Sequence, residues 1–268
     1  MTRNRIRAAG VLCLAIPLAA CSMFGRVLTA SPTEQQSLKT QTAECRNFTK
    51  VATTQHDPMW CWAACAEMIH TYYGRKITQE EIVAQIMSAT SAEDGNSQAA
   101  ATNRQILLAL HPDYQQEKAR YTARLKQRGV NASLTIDAEQ YISSQLEPYT
   151  VNTDAAIDSL RRRQPLIAAL RDDRTSTLGH AYVMYGATYV ERPPDARRDL
   201  NRELQGWFKD AASVVPYRYG LVSVELIDPY TGESVTMDAE TFGARMDFMI
   251  SRESARRALE DEYKSIGG

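Results

Sequence analysis

The residues with the clearest chemical potential lie at positions 55–65, which read Gln-His-Asp-Pro-Met-Trp-Cys-Trp-Ala-Ala-Cys. Cys61 opens an apolar stretch that predicts a helix. A thiol at a helix N-terminus is shifted toward the nucleophilic thiolate by the unsatisfied backbone N–H groups there. Gln55, six positions earlier, can place a side-chain amide where an oxyanion develops. The run therefore supplies two of the groups that acyl transfer by a thiol requires.

A thiol nucleophile needs a base, and the chain has four histidines. His56 lies directly before the helix, where it is poorly placed to face the thiol. His70 is nine positions after Cys61 and so on the opposite face of the same helix. His111 precedes a proline in a predicted surface loop. His180 begins a predicted strand in the second half of the chain, so folding can bring it across a cleft to the thiol. His180 is therefore the expected base.

An acid that could orient this imidazole stands at the end of another predicted strand. Asp228 follows the alternating run 217–227 and precedes Pro229. A carboxylate there would hold the far ring nitrogen of His180 and so fix its tautomer and orientation. The simpler alternative is that Asp228 only opens a turn, as the Asp-Pro pair often does.

Local signals delimit the helix that carries Cys61. Asp57 is its expected N-cap with Pro58 in the first turn, and Gly74 is its expected C-cap just after Tyr73. The apolar spacing predicts one buried stripe, made of Cys61, Cys65, Met68, Ile69 and Tyr72.

The remaining elements separate into a helical first half and a second half richer in strands. Helices are expected at about 78–87, opened by a Thr78–Glu81 capping box, and at 102–110 and 154–163, with a polar loop at 91–97. Strands are expected at 165–170, 180–190 and 217–227. The segment 191–215 is expected to be a partly helical insertion in a hairpin-like connection, and 238–264 a helical C-terminal extension. The pattern predicts an α+β fold, with the nucleophile helix packed against a C-terminal antiparallel sheet.

Together these motifs resemble those of the papain-like cysteine peptidases. The matching positions are Gln55, Trp60-Cys61-Trp62-Ala63-Ala64, Gly179-His180 and Asp228-Pro229, in the family's order of glutamine, cysteine, histidine and acid. Over roughly residues 50–235 the chain is similar to the compact bacterial group that includes double-glycine leader peptidases and certain secreted effector proteases. The resemblance implies Cys61 as nucleophile, His180 as base and Asp228 as orienting acid. It also implies an oxyanion hole made by Gln55 and the Cys61 backbone N–H.

The N-terminus has the pattern of an export signal. A basic start, residues 1–7, precedes an apolar stretch, residues 8–20, that is too short for a permanent transmembrane helix. The stretch ends in Leu18-Ala19-Ala20-Cys21, which resembles a bacterial lipobox, so Cys21 is the expected lipidated N-terminus of the mature chain. Ser22 at the next position is typical of lipoproteins sent to the outer membrane. An ordinary cleaved signal with a chance cysteine is the alternative.

These signals divide the chain into three expected parts. Residues 1–20 form a signal peptide, residues 21–44 a lipidated cysteine with a flexible polar tether, and residues 45–268 one peptidase domain. The expected location is the bacterial cell envelope, lipid-anchored at the outer membrane.

Cysteine usage fits an exported protein with one reactive thiol. Of five cysteines, Cys13 lies in the signal and Cys21 is the lipid site, which leaves Cys45, Cys61 and Cys65. In the oxidising periplasm an odd number leaves a free thiol or an intermolecular bridge. If Cys61 is free, the other two form a disulfide or remain separate, with Cys65 buried and inert.

Three classes of function agree with these observations. The first is a cysteine endopeptidase that acts on peptide or protein substrates without a cofactor or metal. The second is an acyltransferase or amidase with the same catalytic groups and a non-protein or isopeptide substrate. The third is an inactive scaffold or a zinc-binding lipoprotein, although Cys61 and Cys65 lack the further ligands that zinc needs. The net charge of −1 gives no reason to expect nucleic-acid binding, and the oligomeric state is left open.

Overall fold

A six-stranded antiparallel sheet, with helices packed against it, forms the domain. The computed structural model describes residues 29–89, 101–130, 152–171, 179–207 and 217–267. Its helices are α1 Pro32–Ser37, α2 Cys61–Tyr72, α3 Gln79–Ala89, α4 Asn103–Ala109, α5 Tyr114–Gln127, α6 Thr153–Arg161, α7 Pro194–Trp207, α8 Ala239–Arg245 and α9 Arg252–Gly267, with a short 3-10 helix at Phe48–Val51. Its strands are β1 Thr40–Glu44, β2 Leu166–Arg171, β3 Gly179–Glu191, β4 Tyr219–Asp228, β5 Glu233–Asp238 and β6 Met246–Ser251. The predicted α+β fold is confirmed.

The long strand β3 organises the sheet. The strand order is β5-β4-β3-β2-β6, and β1 also pairs with β3. β2 pairs with the first half of β3, from Gly179 to Met184, while β1 pairs with its second half, from Gly186 to Val190. All of these pairings are antiparallel. Because β3 starts where β4 ends, the first residues of β3 and the last residues of β4 share one edge of the sheet.

The N-cap of helix α2 lies three residues later than predicted. Trp60 is its N-cap, and no side chain caps this end of the helix. The prediction that Asp57 is the N-cap was wrong, because residues 57–60 form a separate turn. The Asp57 carboxylate accepts from the Met59 N–H at 2.9 Å, and its carbonyl accepts from the Trp60 N–H at 3.0 Å. Cys61 is therefore the first helical residue.

The other end of α2 follows its sequence signals closely. Gly74 has φ +79°, and its N–H donates to the Thr71 carbonyl while the Arg75 N–H donates to the His70 carbonyl. This pair of bonds is the Schellman motif, for which glycine is favoured since it has no Cβ to clash in the left-handed region.

Helix α2 is buried along the predicted stripe and packs against β3. Cys65, Met68 and Ile69 are fully buried, while Cys61 and Tyr72 at the two ends are half-buried. Burial of a Met or Ile side chain contributes about 1.5–3 kcal/mol, so this stripe holds the helix firmly on the sheet. The end with Cys61 nevertheless remains open to solvent.

The buried His70 makes a pH-dependent contribution to stability that can be measured. It is fully buried, its Nε2 lies 2.8 Å from the Ala109 carbonyl oxygen, and burial lowers its pKa from 6.5 to about 4. Because the unfolded chain takes up the proton first, stability is full above pH 6.5 and falls as the pH drops toward 4. We expect wild type to lose about 2 kcal/mol between pH 7.5 and 5 through this group.

Urea unfolding at the two pH values, compared between wild type and His70→Gln, tests this expectation. Glutamine can still donate to the Ala109 carbonyl but does not titrate, so the variant should lose correspondingly less stability on acidification. The control is His56→Gln, since the side chain of His56 is 47% exposed. An acid-induced loss that is equal in wild type and His70→Gln would contradict the expectation.

The expected tether ends much earlier than residue 44. Thr29 forms a parallel bridge with Leu221 of β4, α1 follows, and β1 joins the sheet. The flexible tether was therefore a wrong prediction for residues 29–44. The segment is polar because most of β1 is exposed and Ala43 is its one buried residue. Backbone pairing holds a strand of any composition, so polarity did not reveal it.

A buried arginine anchors this N-terminal segment. Arg192 is 2% exposed, its Nε donates to a carboxylate oxygen of Glu34 at 2.7 Å, and one terminal nitrogen donates to the Thr29 carbonyl at 2.6 Å. The Glu34 side chain also caps α1 in a reciprocal capping box with Ser31. These contacts, which we call the Arg192 anchor, join residues 29–34 to the end of β3 and the start of β4.

The expected helical C-terminal extension is only partly helical. Its centre forms β6, which pairs with β2 and buries its last four residues. The prediction was wrong there because the short run Met-Asp-Phe-Met-Ile-Ser lies between two polar helices. A run of this length is too short to be recognised as a strand within a helical pattern. The capping box of Thr78 and Glu81 and the helices near 102–110 and 154–163 are confirmed.

The insertion between β3 and β4 begins as expected. These strands pair with each other, so the segment between them is a hairpin connection, and it contains α7. The remainder of the insertion at 208–216, the polar loop at 91–97 and the signal and lipobox at 1–21 lie outside the described residues. Among the helices that the structure describes, none is long and apolar enough to cross a membrane.

Candidate active site

The site lies where the N-terminus of α2 meets the sheet edge shared by the start of β3 and the end of β4. Cys61 comes from α2, His180 is the second residue of β3, and Asp228 is the last residue of β4. Three elements from distant parts of the chain thus bring the three side chains together.

The imidazole of His180 is held between the other two groups. Its Nε2 lies 2.9 Å from Oδ1 of Asp228. The Cys61 thiol is close enough to the ring to help raise its pKa. Because Nε2 is bound to the carboxylate, Nδ1 is the nitrogen that remains for sulfur. The ring of Tyr182 stands edge-on to the imidazole at a centroid distance of 4.7 Å. These contacts fix the orientation of the ring.

The pKa of His180 is raised above its usual 6.5. Burial by itself lowers this pKa, but hydrogen bonds to Cys61 and Asp228 and the charges of both groups outweigh the burial. The environment therefore favours the imidazolium, which is the form that stabilises a neighbouring thiolate.

Asp228 both orients the histidine and opens a turn. Its Oδ1 also accepts from the Tyr230 N–H at 2.8 Å, and its carbonyl accepts from the Gly232 N–H at 2.7 Å. The two interpretations left open by the sequence are therefore compatible, since the turn holds the carboxylate in position for His180.

The other three histidines have partners elsewhere. His56 faces Glu80 at 2.7 Å, His70 faces the Ala109 carbonyl, and His111 faces Glu117 at 3.3 Å. This leaves His180 as the histidine that contacts Cys61.

The two remaining described cysteines carry free, buried thiols. Of the two alternatives left open by the sequence, the structure has the separate cysteines and not the possible Cys45–Cys65 disulfide. The reason is that Cys45 lies beside the far end of α2, whereas Cys65 lies near its start. Cys45 is among the charges that raise the pKa of Tyr72 at the far end of the helix, whereas Cys65 interacts with Cys61 and Asp228 at the near end. Seven residues of helix, about 10 Å, separate Cys65 from Tyr72.

Burial makes both of these thiols poor nucleophiles. It raises the pKa of Cys45 to about 12 and that of Cys65 well above 9. Cys61 is the half-exposed member of the three. No group of three or more potential ligands that could hold a metal ion occurs in the part of the chain that the structure describes.

Gln55 lies beside the site, but its side chain has other partners. Its Nε2 donates to the carbonyls of Asp57 at 3.0 Å and Pro58 at 2.9 Å, and Oε1 is buried without a partner. Its backbone N–H donates to the Pro229 carbonyl at 2.7 Å, directly after Asp228. The expected donor is thus near the site, with both of its amide hydrogens engaged.

A buried glutamine of α3 fixes the backbone on both sides of Gln55. Gln79 is fully buried, its Oε1 accepts from the His56 N–H at 2.9 Å, and its Nε2 donates to the Thr54 carbonyl at 2.9 Å. The same Nε2 donates to Glu67 of α2 at 2.8 Å. We call these contacts the Gln79 link, because they join the loop at 54–56 to the helix that carries Cys61.

A comparison with protein families identifies the chemistry. The family model described as papain-like cysteine protease AvrRpt2 matches residues 42–129. Over this stretch, about a third of its length, the chain is similar to a papain-like cysteine peptidase. The matched stretch contains Gln55 and Cys61 and ends before His180. No curated protein matches the peptidase significantly.

Two supporting residues of the peptidase had escaped the sequence argument. Tyr182 could have been noticed, because it is two positions after His180 and so points to the same face of β3. Gln79 had no usable signal, since nothing local distinguishes a buried glutamine at a helix start from an exposed one.

Proposed function

We propose that the peptidase is an endopeptidase that cleaves polypeptides through a thioester on Cys61. His180 serves as acid to the leaving amine and then as base to water, and Asp228 orients it. The observation that carries this proposal is that the start of α2 and the adjoining ends of β3 and β4 bring Cys61, His180 and Asp228 together, with His180 hydrogen-bonded to Asp228. Neither of the other two buried thiols has such a partner among the described histidines.

The chemistry proceeds in two halves with balanced proton transfers. The Cys61 sulfur attacks the scissile carbonyl carbon, and the carbonyl electrons move to oxygen to form an oxyanion. The His180 imidazolium gives its proton to the amine nitrogen as the C–N bond breaks, which leaves a thioester. Neutral His180 then takes a proton from water, whose oxygen attacks the thioester. The C–S bond breaks, and the acid product leaves as the thiolate–imidazolium pair is restored.

The oxyanion would be bound by the Cys61 backbone N–H and the Gln55 amide. The first N–H groups of α2 have no acceptor within the helix, and no side chain caps them. For Gln55 to take part, its amide must exchange one of its two carbonyl acceptors for the oxyanion. An anionic oxygen is the stronger acceptor, which favours the exchange.

A covalent inhibitor provides the direct test. We expect an epoxide-type thiol-protease inhibitor to add once per chain, with the adduct on Cys61 in a mass-spectrometric peptide map. Peptide libraries analysed by mass spectrometry should show internal cleavage that the inhibitor blocks. An adduct on Cys45 or Cys65, or cleavage that survives full modification of Cys61, would contradict the proposal.

We expect Gln79→Leu to lower kcat/KM about tenfold or more while leaving alkylation by iodoacetamide unchanged. Loss of the Gln79 link should displace the oxyanion donors, whereas alkylation needs the thiolate and forms no oxyanion. The control is Gln105→Leu, since Gln105 is also buried but lies on α4. Equal losses of kcat/KM in the two variants, or a parallel loss of alkylation in Gln79→Leu, would show that Gln79 acts only on stability.

We further propose that a lipid on Cys21 holds the peptidase at the outer membrane of the cell envelope. The lipobox-like sequence and Ser22 support this proposal. We expect the full chain, produced in cells that process lipoproteins, to partition into detergent, and Cys21→Ser to abolish this. Cys13→Ser is the matched control. Detergent partitioning that persists in Cys21→Ser would overturn the proposal.

A further inference from the structure

A basic groove lies away from the active site, between β1 and the end of α6. Its volume is about 340 Å³, and its lining comprises residues 42–44, Arg46, Leu160, Arg161 and Arg163. Three guanidinium groups face one carboxylate there, that of Glu44. We call this the arginine groove.

Two of the three arginines have no carboxylate partner among the residues that the structure describes. Arg161 donates to the Tyr219 hydroxyl at 2.7 Å and lies 3.7 Å from Asp158. No residue in the described part of the chain forms an ion pair with Arg46 or Arg163, and both side chains are exposed. A guanidinium presents a planar fork of donors that matches a carboxylate or phosphate. The groove is therefore suited to an anion.

The end of α6 at the groove carries an unusual residue type for its backbone conformation. Arg163 has φ 60° at the position where the Schellman motif of α6 favours glycine. An arginine there costs about 1 kcal/mol relative to glycine. Asn47, next to Arg46, is the other non-glycine residue with positive φ among the described residues. Asparagine tolerates this region, so the strain lies at Arg163, where an arginine is kept in place of the favoured glycine.

Two structural distances relate the groove to the active site. Glu44 pairs with Gly186 on β3, six residues from His180, which is about 20 Å along the strand. Phe48, two residues after Arg46, packs against Tyr72 with ring centroids 5.1 Å apart, and Tyr72 is eleven residues from Cys61, about 17 Å along α2. An extended peptide covers such a distance with about six residues.

We propose that the arginine groove binds acidic side chains of a polypeptide substrate at about six residues from the bond that is cleaved. This rests on the proposed endopeptidase function for the cleavage step, but binding to the groove can be measured without it. The groove would then select substrates by a short acidic segment outside the cleft.

The test uses full-length Cys61→Ala protein, so that binding is measured without turnover. The probe is a fluorescein-labelled peptide with four consecutive glutamates, and a peptide with four glutamines is its neutral counterpart. We expect the glutamate peptide to bind at least about fivefold more tightly at low salt, with the preference declining as salt is added. In Arg163→Gly the preference should disappear. The melting temperature should stay equal or rise, because glycine adopts φ 60° without strain.

The matched control is Arg162→Ala, since Arg162 is exposed and adjacent but does not line the groove. It should keep the preference for glutamate. Equal binding of the two peptides, an Arg163→Gly variant with unchanged preference, or an equal loss in Arg162→Ala would overturn the proposal. Competition by inorganic phosphate as strong as that by unlabelled glutamate peptide would also overturn it, since the groove would then be a site for free anions.

Cleavage assays separate this proposal from the proposed function. With active protein, we expect kcat/KM to rise at least about threefold when a glutamate pair is placed five to seven residues from the cleaved bond. A kcat/KM that does not depend on the position of the glutamate pair would overturn the groove as a substrate site and would not affect the proposed endopeptidase function. Failure to cleave any peptide would overturn the endopeptidase, while the binding measurements would still decide the groove.

Discussion

Replacement of Cys61 by alanine is expected to remove peptidase activity, lowering kcat/KM by about 10⁴-fold or more. No other described thiol can take over, because Cys45 and Cys65 are buried and their pKa values are raised to about 12 and well above 9. The measurement is kcat/KM on a peptide that wild type cleaves, with intact-mass analysis after inhibitor treatment.

Cys65→Ser is the matched control for this variant. The position is one helical turn further along α2 and fully buried, so a hydroxyl there should lower the free energy of unfolding by about 1–3 kcal/mol. Activity per folded molecule should remain. Activity that survives in Cys61→Ala, or disappears in folded Cys65→Ser, would mean that the nucleophile had been assigned to the wrong cysteine.

Asp228→Asn is expected to lower kcat/KM by about 10²- to 10⁴-fold and to change its pH dependence. Burial lowers the pKa of His180, and the bonds and charges of Cys61 and Asp228 raise it to a net value above 6.5. Imidazolium is therefore present below this raised pKa and is lost as the pH rises through it. Removing the carboxylate lowers the pKa, so the alkaline limb of the pH profile should move to lower pH.

The same variant should lose stability on the acid side. A group whose pKa is higher in the folded than in the unfolded protein adds to stability at pH values below its unfolded pKa. This contribution is lost as the pH rises through its folded pKa. Asp238→Asn is the control, because Asp238 caps α8 through its side chain and asparagine can keep that cap. An alkaline limb that stays in place in Asp228→Asn would show that Asp228 only forms the turn.

Sequence reasoning succeeded where the controlling interactions are local. Gly74 ends α2, and Thr78 and Glu81 cap each other, because such contacts join residues three to five positions apart. The strand that begins at His180 and the strand that ends at Asp228 were predicted from their own composition. The order of the motifs along the chain then indicated that these residues would meet Cys61.

Interactions between distant residues could not be predicted in the same way. β1 and β6 are short and lie beside polar segments, so that only their pairing with β3 and β2 reveals them as strands. Gln79 meets the loop around Gln55 across more than twenty residues. Cys45 and Cys65 are free because Cys45 lies beside the far end of α2 and Cys65 near its start, which a count of cysteines cannot reveal.

The Arg192 anchor places the N-terminal segment at the end of the sheet remote from the active site. Thr29 meets the sheet at Leu221, and seven residues of β4, about 23 Å, separate Leu221 from Asp228. Residues 22–28 reach at most about 25 Å beyond Thr29. Under the proposed lipidation of Cys21, the enzyme would therefore be attached through the end of the sheet remote from its cleft. The same geometry makes the N-terminus the suitable point for immobilising the enzyme on a solid support, because substrates would still approach freely.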